Sequence, residues 1–466
     1  MPIPDDPPAP YEAHAPEALP EYALTSPTSS PTIQHAGVSI SREHTFSLKN
    51  KNARDWITLV VRNRAQNEKH LPLFFDRDVI AGEIHMDLDK AETLKGVTIG
   101  VQSYVLRSVR LTVRLLQITA ATTAVGQEDE PFLDLVEPVW TPEGGSGKLK
   151  GKYTWPFSIT LPPDTSVALT PKSTPQRYAL PPTFSERASP AYIDYKLSVT
   201  VRRGGLRVNN KLSTSFVYLP RSVAEPPSLM RTIAYQEMTP LLGPEEDPPG
   251  WKVFPPLTVE GTLFNTRSVS VQCTFAVALP LSCASNSPLP LLMTLRGTDA
   301  QALDLLAAAP HVQLQRVVAI GSDATDESVA RRSNNTFIAV LAKAAFWPDE
   351  AMAEANKKNG SGASGIKVMQ GELYLPKGIK PTFSFPRLSV RYNLVVLPPQ
   401  VSGFVPSVPV AEPLLSERIT VALANARGVV PRSHVPPGYA VEIEGNYNVA
   451  TGFLENGNQR FLGHHH

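Results

Sequence analysis

Tyr153-Thr154-Trp155-Pro156-Phe157-Ser158-Ile159-Thr160-Leu161 decides the fold. A large apolar side chain stands at every second position, with Thr154, Pro156, Ser158 and Thr160 between. Only an extended chain, with its two-residue period, sends that set to one face. The reading is an antiparallel sheet with one face on a core and the other in water.

The same signature recurs outward from this stretch. Ile193, Tyr195, Leu197, Val199 and Val201 alternate with Asp194, Lys196, Ser198, Thr200 and Arg202. Val109, Leu111, Val113 and Leu115 point one way, with Arg110, Thr112 and Arg114 outward, and Val97, Ile99 and Val101 add another run. Proline and glycine turns separate them, so residues 39–220 read as a β-sandwich. Alternation returns over residues 257–401. Val269, Val271, Cys273, Phe275, Val277 and Leu279 share one face, as do Leu388, Val390, Tyr392, Leu394 and Val396. The predicted fold class is all-β, with two immunoglobulin-like antiparallel sandwiches and short helices. The two halves are of similar size and pattern, which suggests similar domains without showing them to be repeats.

Two helices are expected in the second half. One runs from Asp299 to Ala309 and stops at Pro310. The other runs from Trp347 to Lys358, with Pro348 at its start and Gly360 closing it. Gly360 to Gly365 reads as a flexible loop. Residues 1–38 are rich in Pro, Ala, Ser and Thr, with too few large aliphatics to offset ordering entropy, and read as a disordered tail. Residues 221–256, with Pro226-Pro227, Glu245-Glu246-Asp247 and Pro248-Pro249, read as an inter-domain linker. Residues 402–466 read as a Pro-rich tail with a few strand-like pieces.

Composition agrees. The 466 residues suggest two or three domains, and 42% aliphatic and aromatic residues suffice for their cores. Proline, at 46 residues, is poorly tolerated in helices and central strands and favours a loop-rich β protein. Lys and Arg (44) balance Asp and Glu (43), so no nucleic-acid partner is expected. The cysteines are only Cys273 and Cys283, the first thirty residues contain no apolar run, and no apolar stretch is long enough to span a bilayer. A cytoplasmic location is therefore expected, and the Asn334-Asn335-Thr336 sequon carries no weight. The terminal His464, His465 and His466 are given no role.

Leu73-Phe74-Phe75-Asp76-Arg77-Asp78-Val79-Ile80-Ala81-Gly82-Glu83-Ile84 resembles an early strand of the arrestin family, with Gly82 where strands approach closely. Tyr153 to Leu161 followed by Pro162-Pro163 resembles another arrestin segment, and Tyr192 to Val201 a third. In the second half, Leu289 to Pro310 and Phe383-Ser384-Phe385-Pro386 through Tyr392 resemble arrestin carboxyl-terminal segments. The resemblance covers roughly residues 39–401 and is to α-arrestin-like proteins of the fungal type. It implies two arrestin-like sandwiches acting as a non-enzymatic scaffold. It further implies an adaptor linking the cytoplasmic tails of membrane transporters or receptors to a WW-domain HECT ubiquitin ligase, for endocytosis and protein trafficking. Such an adaptor would be cytoplasmic, visiting the plasma membrane or endosomes only through its cargo.

Pro436-Pro437-Gly438-Tyr439 fits the PPxY pattern that WW domains bind, and Leu19-Pro20-Glu21-Tyr22 fits its LPxY variant. Two prolines preset a polyproline II helix that docks on aromatic rings, and the tyrosine fills a second pocket. The predicted WW-binding residues are thus Pro436, Pro437 and Tyr439, with Leu19, Pro20 and Tyr22. Ala440-Val441-Glu442-Ile443 looks strand-like and competes for Tyr439 as a buried residue. Arg107, Arg110, Arg114, Arg202 and Arg203 are candidates for a cationic phosphate-sensing surface, though solvated strand faces explain them as well. A charged inter-domain core is not identifiable in the sequence.

Enzyme signatures are weak. Gly-Ser-Gly-Lys within Gly144–Lys150 lacks the Ser or Thr and the spacing of a phosphate loop. No G-x-S-x-G elbow occurs. Glu83, His85 and Asp87 share a polar strand face, more consistent with solvent than with a metal, and Cys273 and Cys283 read as small buried hydrophobes. No cofactor, metal or catalytic residue is predicted. A sorting or signalling scaffold of the retromer type, recruiting no ligase, is the alternative; a β-sandwich enzyme with paired carboxylates finds no support in the spacing.

Overall fold

The computed structural model describes residues 42–65, 67–113, 122–144, 147–168, 172–185, 191–204, 207–321, 324–326, 336–349 and 365–439, with side chains described outside 106–113 and 122–130. The first half holds β1 (Arg42–Lys49), β2 (Asp55–Asn63), β3 (Leu73–Phe75), β4 (Val79–Val113), β5 (Thr122–Trp140), β6 (Gly147–Thr160), β7 (Asp164–Val167), β8 (Gln176–Ala179), β9 (Ala191–Arg203) and β10 (Asn210–Leu219). Helix α1 (Leu229–Glu237) and β11 (Trp251–Val253) follow. The second half holds β12 (Leu257–Leu263), β13 (Arg267–Ala278), β14 (Ser282–Ala284), β15 (Pro288–Arg296), α2 (Ala300–Ala308), β16 (His311–Gly321), β17 (Thr336–Lys343) and β18 (Ala345–Pro348). It is completed by β19 (Ile366–Tyr374), β20 (Phe383–Phe385), β21 (Arg387–Leu397), β22 (Phe404–Pro406) and β23 (Leu415–Ala422).

The fold is all-β, as the alternation predicts. In β6, Tyr153, Trp155, Phe157 and Ile159 turn inward while Thr154, Pro156, Ser158 and Thr160 are exposed. Sequence reading divides Val79–Val113 into separate runs; the structure makes them one long, bent strand. Its first part lies between β2 and β6, its second between β5 and β9, with a register shift between Leu88 and Glu92. The bend lets one strand serve both layers, so the sheet curls on itself.

The second half is two stacked sheets, β18-β19-β15-β13-β12-β22 with β11 on β13, and β14-β23-β21-β16-β17 with β20 on β21. Key features of the first half recur in it. In each half a short strand runs parallel to the last one, β3 on β10 and β14 on β23. Each half also carries the same turn. Pro182-Thr183-Phe184-Ser185 precedes β9, and Pro381-Thr382-Phe383-Ser384 precedes β21. Thr183 Oγ1 accepts from Tyr218 N at 2.9 Å and Thr382 Oγ1 from Val421 N at 2.8 Å. Tyr195 Oη donates to the Pro181 carbonyl at 2.6 Å, and Tyr392 Oη to that of Lys380 at 2.5 Å. A buried hydroxyl needs such a partner, and each carbonyl fixes its tyrosine in place. The two turns touch: Phe184 meets Phe383 ring to ring at 5.8 Å, and Phe132 meets Phe385 at 4.8 Å.

Several expectations are corrected. The segment read as a linker contains α1, and its Trp251–Val253 pairs with β13 in the second-half sheet. The segment read as a tail from 402 supplies β22, paired with β12, and β23, which lies between β14 and β21. In β23 only Ile419, Val421 and Ala422 are fully buried, too few to stand out in sequence. The helix at Asp299–Ala309 is present as α2, with Asp299 Oδ1 capping Ala302 N at 3.0 Å. The helix expected from Trp347 does not start there. Trp347 and Pro348 end strand β18, at the edge of its sheet, where a proline needs no ladder partner. Residues 350–364, which hold all of the expected Gly360–Gly365 loop but its last residue, lie outside the described residues, as do 1–41, 440–466 and Asn334-Asn335.

In β9 the predicted outward residues Asp194 and Ser198 are buried, because an inner strand of a curled sheet is covered on both faces. The Asp194 carboxyl is pushed up from 3.8 to about 6 by burial, against the pull of Lys196 at 3.7 Å and of Ser215. A carboxyl whose folded value is raised destabilises the fold when ionised. The penalty is absent below about pH 3.8, grows through the interval and is complete above about 6. Asp194→Asn is therefore expected to stabilise the protein at pH 7 by roughly 2–3 kcal/mol, with no gain at pH 3.5. Urea melts at both pH values check this; an equal effect at both would contradict it.

Candidate functional site

After β23 the chain folds back along the body. Leu423 N donates to Ser222 Oγ at 3.0 Å, Ala224 N donates to the Ala424 carbonyl at 2.8 Å, and Val223 bridges Ala424 in parallel. The segment before α1 and the segment after β23 thus run side by side.

Helix α1 supplies the platform. Ser228 caps it, its Oγ accepting from Arg231 N at 3.2 Å and donating to Asp247 Oδ2 at 2.5 Å. Arg231 faces inward: its guanidinium donates to the carbonyls of Leu279 and Gly250, both at 2.6 Å, and lies over the Trp251 ring at 5.1 Å. Satisfied acceptors on both sides make this buried cation tolerable.

The segment reaches its anchor at Glu372 on β19, a carboxylate only 3% exposed. Ser433 Oγ donates to Glu372 Oε1 at 2.6 Å and His434 N to Oε2 at 2.9 Å. The His434 ring lies 6.1 Å from that of Tyr235, and its Nε2 is 3.3 Å from the Thr239 carbonyl. Burial raises the Glu372 carboxyl above its ordinary range, and the hydrogen bonds from Ser433 and His434 oppose that rise.

Two residues later comes the predicted motif. Tyr439 N donates to the Pro436 carbonyl at 3.2 Å, and Gly438 has φ +92°. Proline then glycine at the two central positions, the glycine left-handed, is the arrangement of a type II turn. Pro436 is half-buried, while Pro437, Gly438 and Tyr439 are exposed, Tyr439 to 46%. Tyr439 is thus not drawn into the core. Leu19, Pro20 and Tyr22 lie outside the described residues.

Of the five arginine candidates, only Arg202 and Arg203 have described side chains. Arg202 is exposed; Arg203 is held by Glu92 at 3.2 Å and lies over Trp56 at 5.1 Å. Arg114 and the side chains of Arg107 and Arg110 lie outside the description. A charged cluster that sequence reading misses does exist. Arg64 Nε and Arg221 Nη2 converge on Asp78 at 2.7 and 3.3 Å, and Asp78 Oδ2 also accepts from Phe75 N at 2.9 Å. These residues are far apart in the chain, and only the parallel β3–β10 pairing brings them together.

His85 lies 3.4 Å from Glu83 and 3.0 Å from Thr154 Oγ1, and among the described residues no group of three His, Cys, Asp or Glu side chains is placed to hold a metal. Both thiols are buried and pushed up to about 12 by that burial, so neither supplies a thiolate near neutrality. Among the described residues no helix is long and apolar enough to cross a membrane.

No curated protein matches the full sequence. Residues 64–221 match the family model described as arrestin (or S-antigen), N-terminal domain. The match begins and ends on the two arginines that grip Asp78. It spans β3 to β10 and leaves out β1, β2 and the second half; over those residues the chain is similar to an arrestin N-terminal domain.

Proposed function

We propose that this protein is a non-enzymatic adaptor that couples membrane transporters or receptors to a WW-domain HECT ubiquitin ligase, promoting endocytosis. The observation that carries the reading is the exposed Pro437-Gly438-Tyr439 turn, set on the surface by the Glu372 anchor. A WW domain needs the faces of two prolines and a free tyrosine ring; Pro437 and Tyr439 are exposed and Pro436 is half-buried, so the reading requires the turn to open on binding. The arrestin match supports the adaptor part of the reading. The site of action would be the cytoplasm, with visits to the plasma membrane or endosomes through cargo.

The test is titration of the full chain with an isolated WW domain. Tyr439→Ala is expected to weaken binding by about a hundredfold, roughly 3 kcal/mol, because the tyrosine is the anchor of the interaction. Its partly exposed position means the fold survives the change. Residual binding lost only on adding Tyr22→Ala would assign it to the amino-terminal motif. No binding by the intact chain would sink the ligase coupling and leave a sorting scaffold.

A further inference from the structure

Helix α1 is built inside out. Its buried side carries Arg231, Ala234 and Tyr235, while Leu229, Met230 and Ile233 face solvent, Leu229 to 74%. The apolar surface continues past the helix end to Met238 and Leu242, 69% and 42% exposed. Exposed apolar residues this close together in the chain are a candidate contact surface.

This surface leads into a cavity of about 490 Å³. Its walls are mostly carbon, including Trp251, Trp347, Leu291 and Leu292, and three carboxylates line it: Glu246, Asp349 and Glu372. Asp349 and Glu372 are 7% and 3% exposed. No lysine or arginine is among the lining residues, and His434 is their one basic group. Arg432 stands outside, exposed, against the Met238 sulfur. The polar wall is rigid: Trp347 Nε1 donates to Gln370 Oε1 at 3.3 Å, and Gln370 Nε2 to Asp349 Oδ2 at 2.9 Å.

We propose that this cavity and the apolar outer face beside it form a docking site for a basic, apolar peptide segment, taking a lysine or arginine side chain against its apolar and acidic walls. The charge of the lining selects a cation. Indole and leucine walls suit the aliphatic stem of such a side chain and a cation lying over an aromatic face. The carboxylates are held apart by neutral partners rather than converging, which disfavours a metal ion. The exposed Met238 and Leu242 at the rim suit neighbouring apolar residues of a peptide better than a free, hydrated amine. The site needs no WW-domain partner, and Pro436–Tyr439 are not among its lining residues.

The experiment is fluorescence anisotropy of the full chain with a labelled synthetic peptide alternating leucine and arginine. Two controls replace arginine by glutamate or leucine by serine, and phosphatidylcholine vesicles with and without phosphatidylserine form a separate arm. The leucine–arginine peptide is expected to bind and both controls to fail. Met238→Glu with Leu242→Glu, at exposed positions that leave the core untouched, is expected to weaken binding about tenfold or more. Glu372→Gln with Asp349→Asn should weaken it similarly and flatten its salt dependence. WW-domain titration of Met238→Glu with Leu242→Glu should be unchanged, which separates this site from Pro436–Tyr439. Equal binding of the glutamate peptide, or no effect of the rim variants, would overturn the proposal. Sedimentation with vesicles without peptide binding would overturn it in favour of a lipid surface.

Discussion

Gly82→Ala is expected to destabilise the protein by about 4 kcal/mol, among the largest losses for a single added methyl group. A Cβ at this position would lie 1.9 Å from the Val60 carbonyl oxygen and 2.9 Å from the Phe157 ring. Gly82 sits in β4 where that strand is paired on both sides, with Val61 of β2 and Phe157 of β6. A flexible side chain could swing aside, but a main-chain carbonyl inside a ladder cannot move without breaking its own pairing. The check is urea denaturation followed by tryptophan fluorescence, with a lowered midpoint at unchanged slope. Adding Phe157→Ala should not rescue the variant, since the carbonyl is the closer obstacle. A loss under about 1 kcal/mol would mean that the curl of the sheet absorbs the strain.

Asp78→Ala is the second large effect, with an expected cost of about 3 kcal/mol. The carboxylate is 5% exposed and accepts from Arg64, Arg221 and Phe75 N at once. Removing it takes the carboxylate from the Arg64 guanidinium, whose side chain is 17% exposed, and the acceptor from an amide, which is the costly way to break a buried ion pair. Arg221 is 33% exposed and Asp76 remains beside it at 3.8 Å, so its share is small and screened. Asp78→Asn should lose less, because an amide oxygen still accepts from Phe75 N. The measurement is the same melt at low and high salt: the loss should persist at high salt, since the Arg64 contact is shielded from solvent. A cost that vanishes at high salt would reduce this cluster to a surface pair.

These residues show how far the sequence can be read. Alternation at Tyr153–Leu161 names the strand and its inner face, and Gly82 stands out as a point of close approach, because both signals are local. The likeness of the two halves is also written in the chain, in Pro182-Thr183-Phe184-Ser185 and Pro381-Thr382-Phe383-Ser384, each followed by a strand tyrosine. It escapes a search for alternation because its content is turn chemistry. Pro436–Tyr439 is legible as a motif, but its anchor is not. Glu372 meets Ser433 and His434 across about sixty residues of chain, and nothing local in Gly371-Glu372-Leu373 separates it from an ordinary strand residue. The cavity is likewise assembled from the segment after α1, four strands and the returning segment. The expected helix does not begin at Trp347, because Pro348 opens helices and also closes edge strands, and only the sheet decides between them.

The bend at Gly438 has a mechanical consequence. A WW domain grips its proline ligand as an extended rod, whereas these four residues are stowed doubled back, with one hydrogen bond closing the loop. Straightening them requires rotation at a single residue, and glycine is indifferent to the sign of φ. Position 438 is therefore where the backbone would have to turn for these residues to extend, and the clasp at Ser433 and His434 lies upstream of that point.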